Sequence, residues 1–148
     1  MNEIFFIDRC LGNKVAEKLR NVGARVEIHD DHFSQNSYDK DWLRIVGERN
    51  WVVLTKDKKI ATRLLELEAV AEGNVRLFAF VDGDVPGVVM AQAFVNALEN
   101  MQRFIRGNQA PFIAKVYQPG LVKPCKNRKE LLKMFPKPVS KSSPINLP

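Results

Sequence analysis

The chain has 148 residues, 45% of them hydrophobic, which suits one domain with a substantial core. No apolar run reaches the roughly 20 residues that cross a bilayer, and Met1-Asn2-Glu3-Ile4 has neither a basic start nor a long apolar stretch. The expectation is therefore a cytoplasmic protein with no membrane span and no signal peptide. The net charge of +6 sits at one end, because residues 123–148 hold seven basic side chains against the single acid Glu130, and the rest is balanced. Such a basic segment suits nucleic acid or an acidic partner, or is simply solvated. Cys10 and Cys125 form no C-x-x-C pair and read as reduced thiols.

Taken in chain order, residues 3–7 (Glu-Ile-Phe-Phe-Ile) form an apolar run that stops at Asp8 and predicts a buried strand. Asn13 reads as the N-cap of a helix with Val15, Ala16, Leu19 and Val22 on one face, closed by Gly23. Residues 25–28 alternate and predict a second strand, followed by a polar loop over 29–38. Asp39 can cap a helix carrying Trp42, Leu43, Ile45 and Val46, whose end Gly47 and Asn50 weaken. Residues 51–55 form the clearest strand of the chain. Lys56-Asp57 then opens a helix through Ile60, Leu64, Leu65 and Leu67, ending near Gly73.

Residues 75–81 predict a fourth strand, 82–87 a turn-rich loop, and 88–105 a long helix closed by Gly107. Residues 111–117 predict a last strand, placed at an edge by Pro111. Beyond Gly120 the chain is basic and proline-rich, with a short helix over 126–135 and a loose end from Pro136. The expected division is a folded domain over 1–120 and a tail over 121–148. Alternating strands and helices imply a three-layer α/β/α sandwich around a mostly parallel sheet.

Ligands of such sheets gather at the carboxyl ends of the strands, so the acids there carry the chemical argument. Asp8 ends the first strand, Asp57 lies just past the third, and Asp39 starts the helix before the third. A carboxylate directly after a buried strand is poorly placed for packing and well placed to face a shared cleft. Carboxylates brought together repel and raise one another's pKa. A bound cation resolves this, and hard oxygen ligands select Mg²⁺ or Mn²⁺, which hold phosphate oxygens and activate water.

Each acid also has a simpler explanation. Asp39 and Asp57 fit helix N-caps, and Asp8 fits an ion pair with Arg9 or Lys56. Asp41 shares a helix with Asp39 and could replace it. Asp82 and Asp84 follow the fourth strand, where a Gly/Pro turn accounts for them more cheaply. His29-Asp30-Asp31-His32 looks like a metal motif, but its spacing is not the i, i+4 of a helical pair and it suits a polar loop. Arg9 and Lys56, beside two of the acids, are candidates for contacting a substrate phosphate. Cys10 reads as a structural thiol.

Other chemistries lack their motifs. The chain contains no G-x-x-x-x-G-K-[ST], no G-x-G-x-x-G and no G-x-S-x-G. Asp8-Arg9-Cys10 is not the D-x-D of aspartyl-phosphate phosphatases. A phospho-acceptor receiver domain would need a second acid beside Asp8 and a lysine after the last strand, whereas Lys115 lies within it.

The ordered set Asp8-Arg9-Cys10-Leu11-Gly12, His29-Asp30-Asp31-His32-Phe33, Asp39-x-x-Trp42-Leu43 and Leu54-Thr55-Lys56-Asp57 resembles bacterial PIN-like domain proteins, and within them the VapC-type toxin ribonucleases of toxin–antitoxin pairs. The resemblance spans roughly residues 4–120. It implies a metal-dependent endoribonuclease using Mg²⁺ or Mn²⁺, with Asp8, Asp39 and Asp57 as catalytic metal ligands. The family often supplies a fourth acid, for which Asp41, Asp82 and Glu17 are the candidates here. An antitoxin partner and a homodimer are implied in the same way. The alternative is a PIN-like module that binds RNA or a partner without cutting.

Overall fold

The computed structural model describes residues 3–136. Its strands are β1 (Ile4–Ile7), β2 (Arg25–Ile28), β3 (Val52–Thr55), β4 (Arg76–Phe80), β5 (Phe112–Val116) and β6 (Val122–Lys126). Its α-helices are α1 (Asn13–Asn21), α2 (Asp39–Glu48), α3 (Leu64–Glu72), α4 (Gly87–Gly107) and α5 (Arg128–Met134). Short 3-10 turns lie at Arg9–Leu11, His29–Asp31 and Lys58–Ala61. The strands make one sheet in the order β2-β1-β3-β4-β5-β6, parallel except for β6, which runs antiparallel to β5.

The strand sequences explain the layers. Side chains alternate across a strand, and here both sets are apolar, so both faces must be covered. Phe5, Ile7, Val52, Leu54, Phe78, Phe80 and Phe112 face one way and pack with Val15 and Leu19 of α1 and Ala91, Phe94 and Met101 of α4. Phe6, Val53, Leu77 and Ile113 face the other way, against Trp42, Leu43 and Val46 of α2, Leu67 and Val70 of α3, and Leu131 of α5. The result is a three-layer α/β/α sandwich with a buried, mostly parallel sheet, as the alternating pattern predicts.

Several local expectations are corrected. Asn13 is the first residue of α1, and the cap position falls to Gly12, whose φ of 75° suits glycine. Val22 ends that helix exposed rather than on its buried face. The helix expected from Lys56 is broken into a 3-10 turn and α3, which leaves Leu64 and Leu65 exposed.

The largest correction concerns the far end of the chain. β5 is not an edge strand, because β6 pairs along it from Val116↔Val122 to Ile113↔Lys126. Pro111 precedes the strand, which begins at Phe112. The strand proline is Pro124, on the true edge. The short helix expected over 126–135 forms as α5, capped by a reciprocal Asn127–Glu130 pair, and it buries Leu131 completely. The described part of the expected tail is thus built into the sheet and core. The loose end expected from Pro136 lies outside the described residues apart from Pro136 itself.

Candidate active site

The strand order creates the site. From β1 the chain crosses to β2 on one side, then returns past β1 to β3 on the other. The loops leaving β1 and β3 therefore diverge, and a crevice opens at the carboxyl ends of these two strands. A cleft of about 710 Å³ lies there, lined by Asp8, Asp39, Asp57, Arg9, Lys56 and Arg63 among others. The three acids singled out in the sequence thus reach one cleft.

Asp8 stands on the rigid end of β1, its backbone N–H donating to the Leu54 carbonyl of β3 at 3.0 Å. Asp8 as a residue is buried, at 7% exposure. Thr55, fully buried at the end of β3, donates its hydroxyl to Asp8 Oδ2 at 2.7 Å and accepts the Asp57 N–H at 3.1 Å. One hydroxyl therefore ties the two strand-end acids together. Burial raises the pKa of Asp8, the Thr55 hydrogen bond partly offsets this, and the negative charge of Asp39 pushes it up further. Asp8 and Asp39 line the same cleft.

Asp39 is not a helix cap. Tyr38 holds the N-cap position of α2 without a side-chain hydrogen bond. Asp39 instead accepts the indole N–H of buried Trp42 at 3.0 Å, so the D-x-x-W spacing places the acid and satisfies the tryptophan in one bond. Asp57 does cap, accepting the Lys59 N–H at 3.0 Å. Its two oxygens are also held by Arg63, at 2.9 Å from Nη1 and 3.4 Å from Nη2. Arg63 Nη1 lies 4.0 Å from Asp39 Oδ2, between the two acids.

The remaining candidates divide. Lys56 lines the cleft, and so does Arg9, which pairs with Asp30 at 3.1 Å. Asp41 pairs with Lys40 at 3.1 Å, and Asp82 accepts the Gln118 N–H at 2.9 Å; neither lines the cleft. Asp84 and Glu17 do not line it either. The His29–His32 segment does not act as a unit. His29 is buried with its ring among Phe6, Phe33 and Trp42, while His32 pairs with Glu27 at 2.7 Å. Thr55 and Arg63 were not singled out from the sequence. Thr55 lies inside the L-T-K-D run but looks like an ordinary strand residue. Arg63 falls between two helical pieces, where no periodicity marks it.

The donor set suits a hard divalent cation in part. Asp8 and Asp39 present mutually repelling carboxylates, and Mg²⁺ commonly binds through one or two carboxylates, completed by water and phosphate oxygens. Asp57 does not complete a third protein ligand while Arg63 holds it. Among the described residues, no three His, Cys, Asp or Glu side chains come close enough together to hold a metal ion.

A family model described as a PIN like domain matches residues 3–82, a stretch that contains β1 to β4 and all three cleft acids. The chain belongs to the PIN-like domain family, whose fold is of the nuclease type. Comparison with curated proteins and with solved structures returned no match. Among the described residues no helix is long and apolar enough to cross a membrane.

Proposed function

We propose that this chain is a metal-dependent endoribonuclease that hydrolyses RNA phosphodiesters in the cleft at the ends of β1 and β3. The observation that carries the reading is the buried Asp8, which shares with Asp39 a cleft also lined by Arg9, Lys56 and Arg63. Acids at the floor and cations at the rim suit a phosphodiester whose charge must be both bound and neutralised.

Asp8 and Asp39 are the residues that would hold Mg²⁺ or Mn²⁺, which when bound supplies charge neutralisation and a water of lowered pKa. Thr55 fixes the rotamer of Asp8 through its 2.7 Å hydrogen bond, and Trp42 does the same for Asp39. Lys56 and Arg9 offer charge to flanking phosphates. Holding the ion requires ionised Asp8. Because burial raises the Asp8 pKa, activity falls at a higher pH than an ordinary aspartate would dictate. Attack by water leaves a 5′-phosphate and a 3′-hydroxyl and does not need the ribose 2′-hydroxyl.

The test is metal-dependent cleavage of a panel of structured and single-stranded RNAs, with chelator and Asp8→Asn as controls. The expected products carry 5′-phosphates, and both controls abolish them. Ends bearing a 2′,3′-cyclic phosphate would overturn the mechanism. The toxin role, with a cognate antitoxin, a cytoplasmic setting and a homodimer, belongs to this proposal through the resemblance to VapC-type toxins. A second reading, a module that binds RNA or a partner without cutting, draws support from Arg63, which neutralises Asp57 from within the chain. Binding of RNA with no cleavage in any metal would favour it.

A further inference from the structure

We infer that Arg63 is a phosphate-binding residue of this site and that Asp57 serves to position it, rather than to hold a metal ion. The inference rests on reading the cleft as a phosphodiester site and assigns a different task to its third acid.

The geometry separates Asp57 from the other two acids. Both its oxygens are engaged, Oδ2 by Arg63 Nη1 at 2.9 Å and Oδ1 by Arg63 Nη2 at 3.4 Å and by the Lys59 N–H at 3.0 Å. A metal ion binding either oxygen would have to compete with the guanidinium already held there, and at Oδ1 with the turn cap as well. Asp8 has no basic side chain within ion-pair reach among the described residues. Among the described residues, the one basic side chain near Asp39 is Arg63, at a loose 4.0 Å.

Arg63 has the properties a phosphate clamp needs. Its side chain lines the cleft and remains 42% exposed, so a ligand can reach it. The guanidinium fork has more N–H donors than Asp57 can accept, and the unused ones are available to phosphate oxygens. Held from behind by a carboxylate, an arginine loses little rotamer freedom when it binds. Asp57 is itself fixed by two local bonds, to the Thr55 hydroxyl through its own N–H and to the Lys59 N–H through its side chain. A chain of contacts thus runs from Asp8 through Thr55 and Asp57 to Arg63, setting the phosphate clamp against the acid pair.

The experiment compares two affinities in the full chain. Mn²⁺ binding is titrated calorimetrically, and binding of a labelled single-stranded RNA of mixed sequence is measured in Ca²⁺. The variants are Asp8→Asn, Asp39→Asn, Asp57→Asn, Arg63→Ala, Arg63→Lys and the Asp57→Asn/Arg63→Ala double. Asp57→Asn keeps an oxygen for the Lys59 cap. Asp8→Asn and Asp39→Asn are expected to lower Mn²⁺ affinity about tenfold or more, whereas Asp57→Asn and the double variant leave it within about twofold. Arg63→Ala is expected to weaken RNA binding about tenfold, Arg63→Lys less, and the double variant no more than Arg63→Ala alone.

Asp57→Asn gives the sharpest sign. Removing an acid beside RNA should strengthen binding if only net charge matters, whereas loss of the clamp weakens it. Stronger RNA binding by Asp57→Asn, or a loss of Mn²⁺ affinity equal to that of Asp8→Asn, overturns the inference and leaves the nuclease reading standing. A parent that binds RNA but no Mn²⁺ overturns metal-dependent cleavage, and the RNA measurements still decide the role of Arg63.

Discussion

Asp8 holds a charge where the solvent that would stabilise it is nearly absent. Burial lifts its pKa above 3.8, so the folded protein binds a proton more readily than the unfolded chain between 3.8 and the raised value. Its contribution to stability therefore falls as pH rises through that window, and above it the ionised group is a standing cost. In metal-free protein, Asp8→Asn is expected to raise stability by roughly 1 kcal/mol at pH 7 while abolishing the proposed cleavage. The gain should shrink toward pH 4. Melting curves at both pH values check this, and an unchanged or lower Tm at pH 7 would refute it. The neighbouring thiol responds to the same acid. Cys10 is exposed as a residue, but its sulfur turns inward, 3.5 Å from Asp8 Oδ2 and 3.4 Å from Thr55 Oγ1. Burial of the sulfur, then the Asp8 charge, push its pKa up to about 11. The thiolate fraction at pH 8 falls about a hundredfold while the nucleophilicity of each thiolate rises, so Cys10 should react with iodoacetamide about tenfold more slowly than a free thiol, and faster in Asp8→Asn. Mass spectrometry of timed quenches measures both rates.

At the scale of elements, the ends of α2 and α3 approach each other at the level of backbone, beside the Arg44–Glu72 ion pair at 3.0 Å. A Cβ built on Gly47 would lie 2.1 Å from the Gly73 carbonyl oxygen and 2.9 Å from Val75. Gly47 therefore lets α2 approach the end of α3, and its low helix propensity is tolerated for that reason. Because α2 carries Asp39, this contact also bears on where that acid stands. Gly47→Ala should destabilise the fold by roughly 3 kcal/mol, since rigid backbone must move. It should also lower Mn²⁺ affinity under conditions where the variant remains folded. Chemical denaturation and metal titration test the two parts separately.

For the molecule as a whole, the sheet continues through the segment from which a tail was expected. β6 covers the edge of β5, and α5 inserts Leu131 into the core shared with α2 and α3. Truncation after Gly120 should lower Tm by roughly 10 °C or more and expose β5 as a pairing edge. Leu131→Ala alone should cost about 3 kcal/mol. Thermal melts and light scattering of the truncated chain check the first expectation, and a truncated chain as stable and monomeric as the parent would refute it.

What the sequence by itself determined was local. Runs such as Phe5-Phe6-Ile7 and Val52-Val53-Leu54 are apolar on both faces, so they had to be buried strands, and the acids that follow them had to lie at strand ends. Alternation of strands with amphipathic helices then implied the parallel sheet, and hence one cleft for Asp8 and Asp57. These inferences depend on residues adjacent in the chain, where periodicity carries the information. The tertiary structure decided what depends on residues far apart. Pairing of β6 with β5 needs hydrogen bonds that no pattern in Val122–Lys126 announces. The Gly47–Gly73 approach joins two helices whose separate sequences show only a weak helix end and a C-cap. The approach of Arg63 to Asp39 arises because folding brings the start of α2 and the start of α3 to the same side of the sheet. An ion pair leaves no periodic trace in sequence, since it is set by position in space.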